Sequence, residues 1–489
     1  MLPWAVALLA AAGLAVIATR VPIAEGDDAF YASIARHPPD VYVRFYGPVF
    51  IRLLGLSFSL FGLSIAALRL ISVAGAALIL LACDRLARTF GASARDRAWA
   101  VLILLLSPEV GWAATSGRMD ALAVGLGLLG LALLVANLKV STTSNQYAVQ
   151  AFRPAASGVL LAAAALTTPR MSPFMLGAAI AGVVVLASAD RESRRHVIRP
   201  LAIAGAVTLT IVLLWLELGA GGIGAWIRMM WSVATQQRDD VAILGGVRVL
   251  SFGWTRVLTP AAAIAGGVAL AMRRRDADGH AIALRFALAT VWVTLIVSAA
   301  LFTMTFFFAT YVIVPLFVVV LAGAPVRLPR RTVVAGACAL MLAFGAMRTG
   351  KHVRTAVTWS ARDAGRMDAF VAAHVPPGSV VIGPHYLYFF PVERAGSRFR
   401  SASAQNWADW TQWIDAAPPP ETINAGAPVF MLWPDDRDLI FGPAPPGACA
   451  GGEATATYEP PPDDLPRLSA WTAGDDLREY PRATLFRCY

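Results

Sequence analysis

The chain has 489 residues, 57% of them hydrophobic and only 15% charged, with a mean hydropathy of +0.61 and a net charge of +10. A soluble chain of this length carries roughly 25% charged residues, so the composition excludes an ordinary soluble enzyme and describes a protein threaded repeatedly through a membrane. The basic excess is confined to one part: residues 1–348 balance at +14 and residues 349–489 at −4. That distribution ties the arginines to membrane topology and gives no argument for nucleic acid as a partner.

Hydropathy predicts eleven spans, at about 2–19, 66–86, 98–112, 120–138, 155–168, 171–188, 200–218, 252–272, 282–302, 306–324 and 332–348. An apolar bilayer core needs about 20 residues per helix, so the third and fifth are short and draw on their flanks. The first lacks the basic start and small-residue cleavage pattern of a signal peptide and is read as a membrane helix. With the N-terminus inside, every loop after an even-numbered span is basic: Arg85, Arg88, Arg95 and Arg97; Lys139 and Arg153; Arg191, Arg194, Arg195 and Arg199; Arg273, Arg274, Arg275 and Arg285; Arg327, Arg330 and Arg331. This is the positive-inside pattern, and it places the long loops 20–65 and 219–251 outside.

The first outer loop opens with Glu25-Gly26-Asp27-Asp28-Ala29-Phe30-Tyr31, an acidic pair in a region poor in acids. Its second half, Tyr46-Gly47-Pro48 to Phe61-Gly62, is apolar, begins at Gly-Pro and suits a helix lying in the interface plane. His37, beside Pro38-Pro39, reads as a loop residue and is given no role.

Composition changes after residue 348, where Pro, Trp and acidic residues rise. Residues 1–348 form a transmembrane domain and residues 349–489 a small soluble α/β domain. Trp359–His374 reads as an amphipathic helix closed by Pro376-Pro377-Gly378, with strands over Ser379–Ile382 and Pro428–Trp433. Of the four cysteines, Cys83 and Cys338 lie in apolar segments. Cys449 and Cys488 are the only two in the soluble region and are expected to pair as a disulfide in an oxidising compartment.

The order of short motifs is similar to that of the GT-C superfamily of integral-membrane glycosyltransferases, which includes protein O-mannosyltransferases, aminoarabinose transferases and lipopolysaccharide galacturonosyltransferases. The resemblance covers most of residues 1–348. It rests on Asp27-Asp28 with Tyr31, then Pro48, Phe61-Gly62 and Arg69, then Ser107-Pro108 and Arg118-Met119-Asp120, and finally Tyr311 with Pro315. Where the family carries Leu-Thr-Lys, this chain reads Leu166-Thr167-Thr168-Pro169-Arg170, with Arg170 near the position of the lysine. The resemblance implies a polytopic helical bundle that takes a sugar from a polyprenyl-phosphate donor. The acceptor would be an envelope lipid, glycan or protein, met on the periplasmic side of a bacterial inner membrane.

Such a transfer needs a base for the acceptor hydroxyl and cations for the departing phosphate. Asp27 is the expected base, with Asp28 beside it as a like-charge neighbour or acceptor ligand. Arg118, Arg170 and Arg69 are candidates for the phosphate because a guanidinium fork matches its oxygens; Arg69 also reads as the packing partner of an internal acid. Tyr311 is a hydroxyl donor, Tyr31 completes the acidic motif, and Asp120 either binds substrate or caps the fourth span. Asp27, Asp28 and Asp120 could gather around a divalent metal, but without histidine or further acids no obligatory metal is expected. A transporter or flippase is the alternative from another class. It would place ionisable groups near the bilayer midplane in two related halves, whereas here the acids gather at one surface and no half-repeat is visible.

Overall fold

A computed structural model of the chain describes residues 8–9, 12–16, 18, 26–37, 47–107, 110–111, 114, 117–140, 147–188, 191–228, 279–301, 312, 315–316, 318–319, 364–384, 387–402, 427–435, 449, 452–460 and 480–488. Its membrane part runs α1 (Gly26–Arg36), α2 (Pro48–Phe61), α3 (Ile65–Thr89), α4 (Ala94–Leu106), α5 (Asp120–Val140), α6 (Tyr147–Thr167), α7 (Ser172–Ser188), α8 (Arg191–Leu218) and α9 (Gly279–Leu301). Among the described residues, four helices are long and apolar enough to cross a membrane: Ile65–Thr89, Asp120–Leu138, Pro169–Ala187 and Arg194–Leu218. The expected spans 252–272 and 332–348 lie outside the described residues, and 306–324 is described only at five positions, all helical.

Two expectations change. The acidic pair does not sit in an open loop: Asp27 and Asp28 stand in the first turn of α1, where the unpaired backbone N–H groups favour negative charge. The fifth span is longer than its apolar run, because α6 continues back through Pro154 to Tyr147.

Local signals set the helix boundaries. Ser64 caps α3 by accepting from the Ala67 N–H at 3.1 Å. Ser93 caps α4, accepting from the Asp96 N–H at 3.2 Å while its hydroxyl donates to the Asp96 carboxylate at 2.7 Å. With little hydrophobic drive between helices in lipid, small residues allow close packing. The backbones of α3 and α5 meet at Gly75 and Gly125. A side chain on Gly75 would strike the backbone at Leu122, and one on Gly125 the carbonyl of Gly75. In turn α5 packs on α6, α6 on α8, and α7 on α9.

The C-terminal domain is a five-stranded mixed sheet of β1 (Val380–Pro384), β2 (Arg398–Ala402), β3 (Val429–Pro434), β4 (Glu453–Tyr458) and β5 (Ala483–Cys488). The strand order is β2-β1-β3-β5-β4. Strand β1 is parallel to both β2 and β3, pairing Val381 with Phe399 and Phe430, whereas β5 runs antiparallel to β3 and β4. Helix α10 (Ala364–His374) precedes the sheet, and α11 (Phe389–Arg394) is the crossover between β1 and β2. Cys449 and Cys488 are joined, with Cα atoms 5.0 Å apart, which fastens the last residue of β5 to the segment leading into β4.

This sheet lies on the membrane part at the end that carries α1 and α2. One hydrophobic core runs without a break from Ala29 and Tyr31 of α1, through Phe58 of α2 and Leu68 of α3, to Phe390 of α11 and Leu485 of β5. The outer loop and the C-terminal domain therefore share one side of the molecule.

Candidate active site

An arginine is costly in the interior of an apolar helix unless its charge is met. Arg69 stands in the second turn of α3 and is completely buried. Its Nη1 donates to the Ala18 carbonyl at 2.9 Å, and its Nη2 lies 3.5 Å from Asp28 Oδ2. Asp28 is itself 1% exposed. The first apolar segment, α1 and α3 therefore converge on one buried ion pair.

Gly117 carries the chain across this pair. A side chain there would meet Leu68 and would come within 3.2 Å of the Asp28 carboxyl carbon, so a glycine is needed where the backbone passes. Ser72, three residues beyond Arg69 on the same face of α3, donates to the Arg118 carbonyl at 3.0 Å and fixes the turn.

Beyond the turn is a second, more open cluster. Asp120, first residue of α5, is 2% exposed and forms ion pairs with Arg118, whose Nε lies 3.1 Å away, and with Arg170, whose Nη1 lies 3.6 Å away. A carboxylate at a helix N-terminus is stabilised by the helix dipole, and it holds both arginines in place. One carboxylate faces two guanidinium groups, and both arginines are partly exposed. Arg170 is presented by a short 3-10 turn, Pro169–Met171, capped by Thr168, whose hydroxyl accepts from the Arg170 N–H at 3.3 Å. Gly47, at the start of α2 with φ +59°, packs directly on the Thr167 carbonyl and beside Met119. It brings the interfacial helix onto the end of α6.

Of the residues singled out in the sequence, Asp28, Arg69, Arg118, Asp120 and Arg170 thus come together at one end of the bundle. Tyr31 is close by, but its buried ring packs edge-on against Phe50 at 5.7 Å and joins α1 to α2. The side chain of Asp27 and the whole of Tyr311 lie outside the described residues. No group of three His, Cys, Asp or Glu side chains that could hold a metal occurs among the described residues; Asp28 and Asp120 each face arginine. Sequence reasoning missed Ser72, Gly117 and Gly47. Only Gly47-Pro48, a glycine before a proline-initiated helix, carried a local signal.

Residues 43–185, which span α2 to α7 and the outer cluster, match the family model of the alpha-(1->6)-mannopyranosyltransferase N-terminal domain. No curated protein sequence matches the chain. Among solved structures, ArnT from Cupriavidus metallidurans bound to undecaprenyl phosphate superposes with a TM-score of 0.62 at 15% identity, covering 99% of this chain and 97% of that one. The apo form of the same protein gives 0.60. The Archaeoglobus fulgidus oligosaccharyltransferase, in complex with Zn and sulfate, is more distant, with a TM-score of 0.49 at 12% identity over 88% of this chain and 68% of that one. Residues 43–185 thus resemble a mannopyranosyltransferase domain, and the chain as a whole shares its fold with ArnT.

Proposed function

We propose that the chain moves a sugar from a polyprenyl-phosphate donor to a hydroxyl acceptor at the end of the bundle that carries α1, α2 and the C-terminal domain. The observation that carries this reading is the paired arrangement on that end: a buried Asp28–Arg69 pair beside a partly open Arg118–Asp120–Arg170 cluster. The match to a mannopyranosyltransferase model over residues 43–185, which hold Arg69, Arg118, Asp120 and Arg170, supports it.

In the proposed reaction the acceptor oxygen attacks the anomeric carbon. The bond from that carbon to the phosphate oxygen breaks, and its electron pair leaves on the lipid phosphate. The acceptor proton passes to a carboxylate, and Asp27 is the proposed base. Asp28 is already engaged by Arg69, so its role is to anchor the first turn of α1 and with it Asp27. Arg118 and Arg170 receive the phosphate, whose charge rises as the bond breaks. Asp120 keeps the two forks apart and oriented. A single displacement inverts the anomeric configuration. Tyr311 is retained as a proposed hydroxyl donor. The proposed acceptor is an envelope lipid, glycan or protein, and no obligatory metal is part of the scheme.

The proposed location is a bacterial inner membrane, with the site and the C-terminal domain on the periplasmic side. Basic residues between α3 and α4, and at the start of α8, support this orientation, as does a disulfide in the soluble domain.

Full-length protein in nanodiscs, given radiolabelled polyprenyl-phosphate mannose and other lipid-phosphate sugars, tests the reading. Asp27→Asn should retain donor binding and lose at least about 100-fold in transfer, the lower range for a lost general base. Arg118→Ala should weaken donor binding and Arg118→Lys should restore it only in part. Near-normal turnover in Asp27→Asn removes that residue from the role. A wild-type protein that binds no lipid-phosphate sugar, or that moves one across the bilayer without transfer, overturns the proposal.

A further inference from the structure

The junction between the C-terminal domain and the membrane part holds more than apolar contacts. Phe58 of α2 meets Phe390 of α11 edge-on at 6.5 Å. His37, just past α1, lies 3.0 Å from Glu393 Oε2, while Glu393 Oε1 accepts from the Phe399 N–H at 3.0 Å. The helix bearing the acidic pair is thereby tied to α11 and β2.

Behind this junction two tyrosines of the soluble domain, Tyr388 and Tyr480, stack with centroids 6.0 Å apart and planes 18° from parallel. They are 0% and 5% exposed, and neither hydroxyl has a hydrogen-bond partner in the structure among the described residues. Tyr480 shares the continuous core with Leu68, the neighbour of Arg69, and is close enough to Arg69 for the guanidinium charge to act on it. Burial, the largest influence on both phenols, raises their pKa values well above the ordinary tyrosine value, so both remain neutral hydrogen-bond donors. A buried hydroxyl is expensive to leave unmatched. Two of them, one within electrostatic reach of a buried ion pair, call for an oxygen that the described residues do not themselves supply.

We infer that Tyr480, backed by Tyr388, is a positioning residue of the membrane site: the C-terminal domain supplies it to cover the Arg69–Asp28 pair, and its hydroxyl donates to a hydroxyl oxygen shared with that pair. This rests on the reading of that region as the transfer site. The oxygen belongs either to a resident water or to the acceptor, and the two sources give different results.

Tyr480→Phe keeps the ring and removes only the hydroxyl; Tyr388→Phe is its companion. Each full-length variant is compared with wild type in melting temperature, in hydrogen exchange of α1, and in kcat and acceptor KM. A resident water predicts faster exchange across Gly26–Arg36 without substrate, and a kcat lowered about tenfold, the worth of one hydrogen bond to a charged pair. An acceptor hydroxyl predicts unchanged exchange and a loss of about tenfold confined to acceptor kcat/KM. Unchanged α1 exchange and unchanged kinetics, with an equal or higher melting temperature, overturn the inference. If wild type transfers no sugar, the acceptor source falls with the proposed function and exchange decides the resident-water source alone: accelerated α1 exchange in Tyr480→Phe upholds the link to the pair, and unchanged exchange overturns it.

Discussion

At the scale of single residues, the buried Asp28–Arg69 pair makes the sharpest prediction. Removing one partner of a buried pair leaves an uncompensated charge and costs about 3–5 kcal/mol, whereas replacing both with apolar residues is often neutral. Arg69→Met should therefore destabilise strongly, and Asp28→Leu combined with Arg69→Met should recover most of that stability while transfer stays low. Thermal unfolding in detergent measures the first effect and a transfer assay the second. Equal stability of the single and double variants would show that the pair is not the coupled unit described here. The sequence left Arg69 between two readings, phosphate ligand and partner of an acid. Forty-one positions separate it from Asp28, and no local spacing rule reaches that far. An arginine surrounded by Ala67, Leu68 and Leu70 was nonetheless a signal that something must meet its charge. By contrast the place of Asp120 at the start of its helix, two positions after Arg118, was legible, whereas its pairing with the distant Arg170 was not.

Individual elements were legible in proportion to how far their periodicity stood alone. The apolar runs of α3, α5, α7 and α8 read directly, since a bilayer imposes length and composition together. Pro48 and Gly62 bracketed α2 within a residue. Helix α1 was read as loop because its eleven residues are short and mixed, although acids in its first turn and Arg36 in its last are the charges a helix prefers. In the sheet, β1 and β3 were found as apolar runs, but β2 and β4 were not. Arg398-Phe399-Arg400-Ser401-Ala402 and Glu453-Ala454-Thr455-Ala456-Thr457-Tyr458 are edge strands with polar faces, and only their pairing makes them strands. The prediction at this scale concerns Gly47. A left-handed backbone at φ +59° costs a non-glycine residue roughly 1–2 kcal/mol, and a methyl group would also strike the Thr167 carbonyl. Gly47→Ala should lower stability by at least about 2 kcal/mol. It should also weaken donor binding, because α2 presses on the turn that presents Arg170. Wild-type melting and donor affinity in that variant would mean that the start of α2 can shift without disturbing the site.

For the whole molecule, the change in charge after residue 348 led to the expectation of a separate soluble domain, and gave no sign that the C-terminal sheet would share a core with the outer helices. Contacts such as Phe58–Phe390 and His37–Glu393 join segments more than 300 residues apart and leave no trace in local composition. The Cys449–Cys488 bridge closes a loop of 39 positions, worth roughly 3–4 kcal/mol in the chain-entropy model. A non-reduced digest of protein from its native membrane should contain the linked peptides, and Cys488→Ser should lower the melting temperature of the sheet. Free thiols at both positions would remove the bridge and weaken the periplasmic placement. The strand that carries Cys488 has a further consequence. Strand β5 lies inside the sheet, between β3 and β4, yet in chain order it comes after all the described membrane helices. During synthesis the bundle can be inserted and packed long before the ribosome supplies the strand that completes the cover above it. A translation product released before β5 would hold the buried pair and the arginine cluster without that cover, so the order of the chain itself delays a closed site until the last strand of the sheet is made.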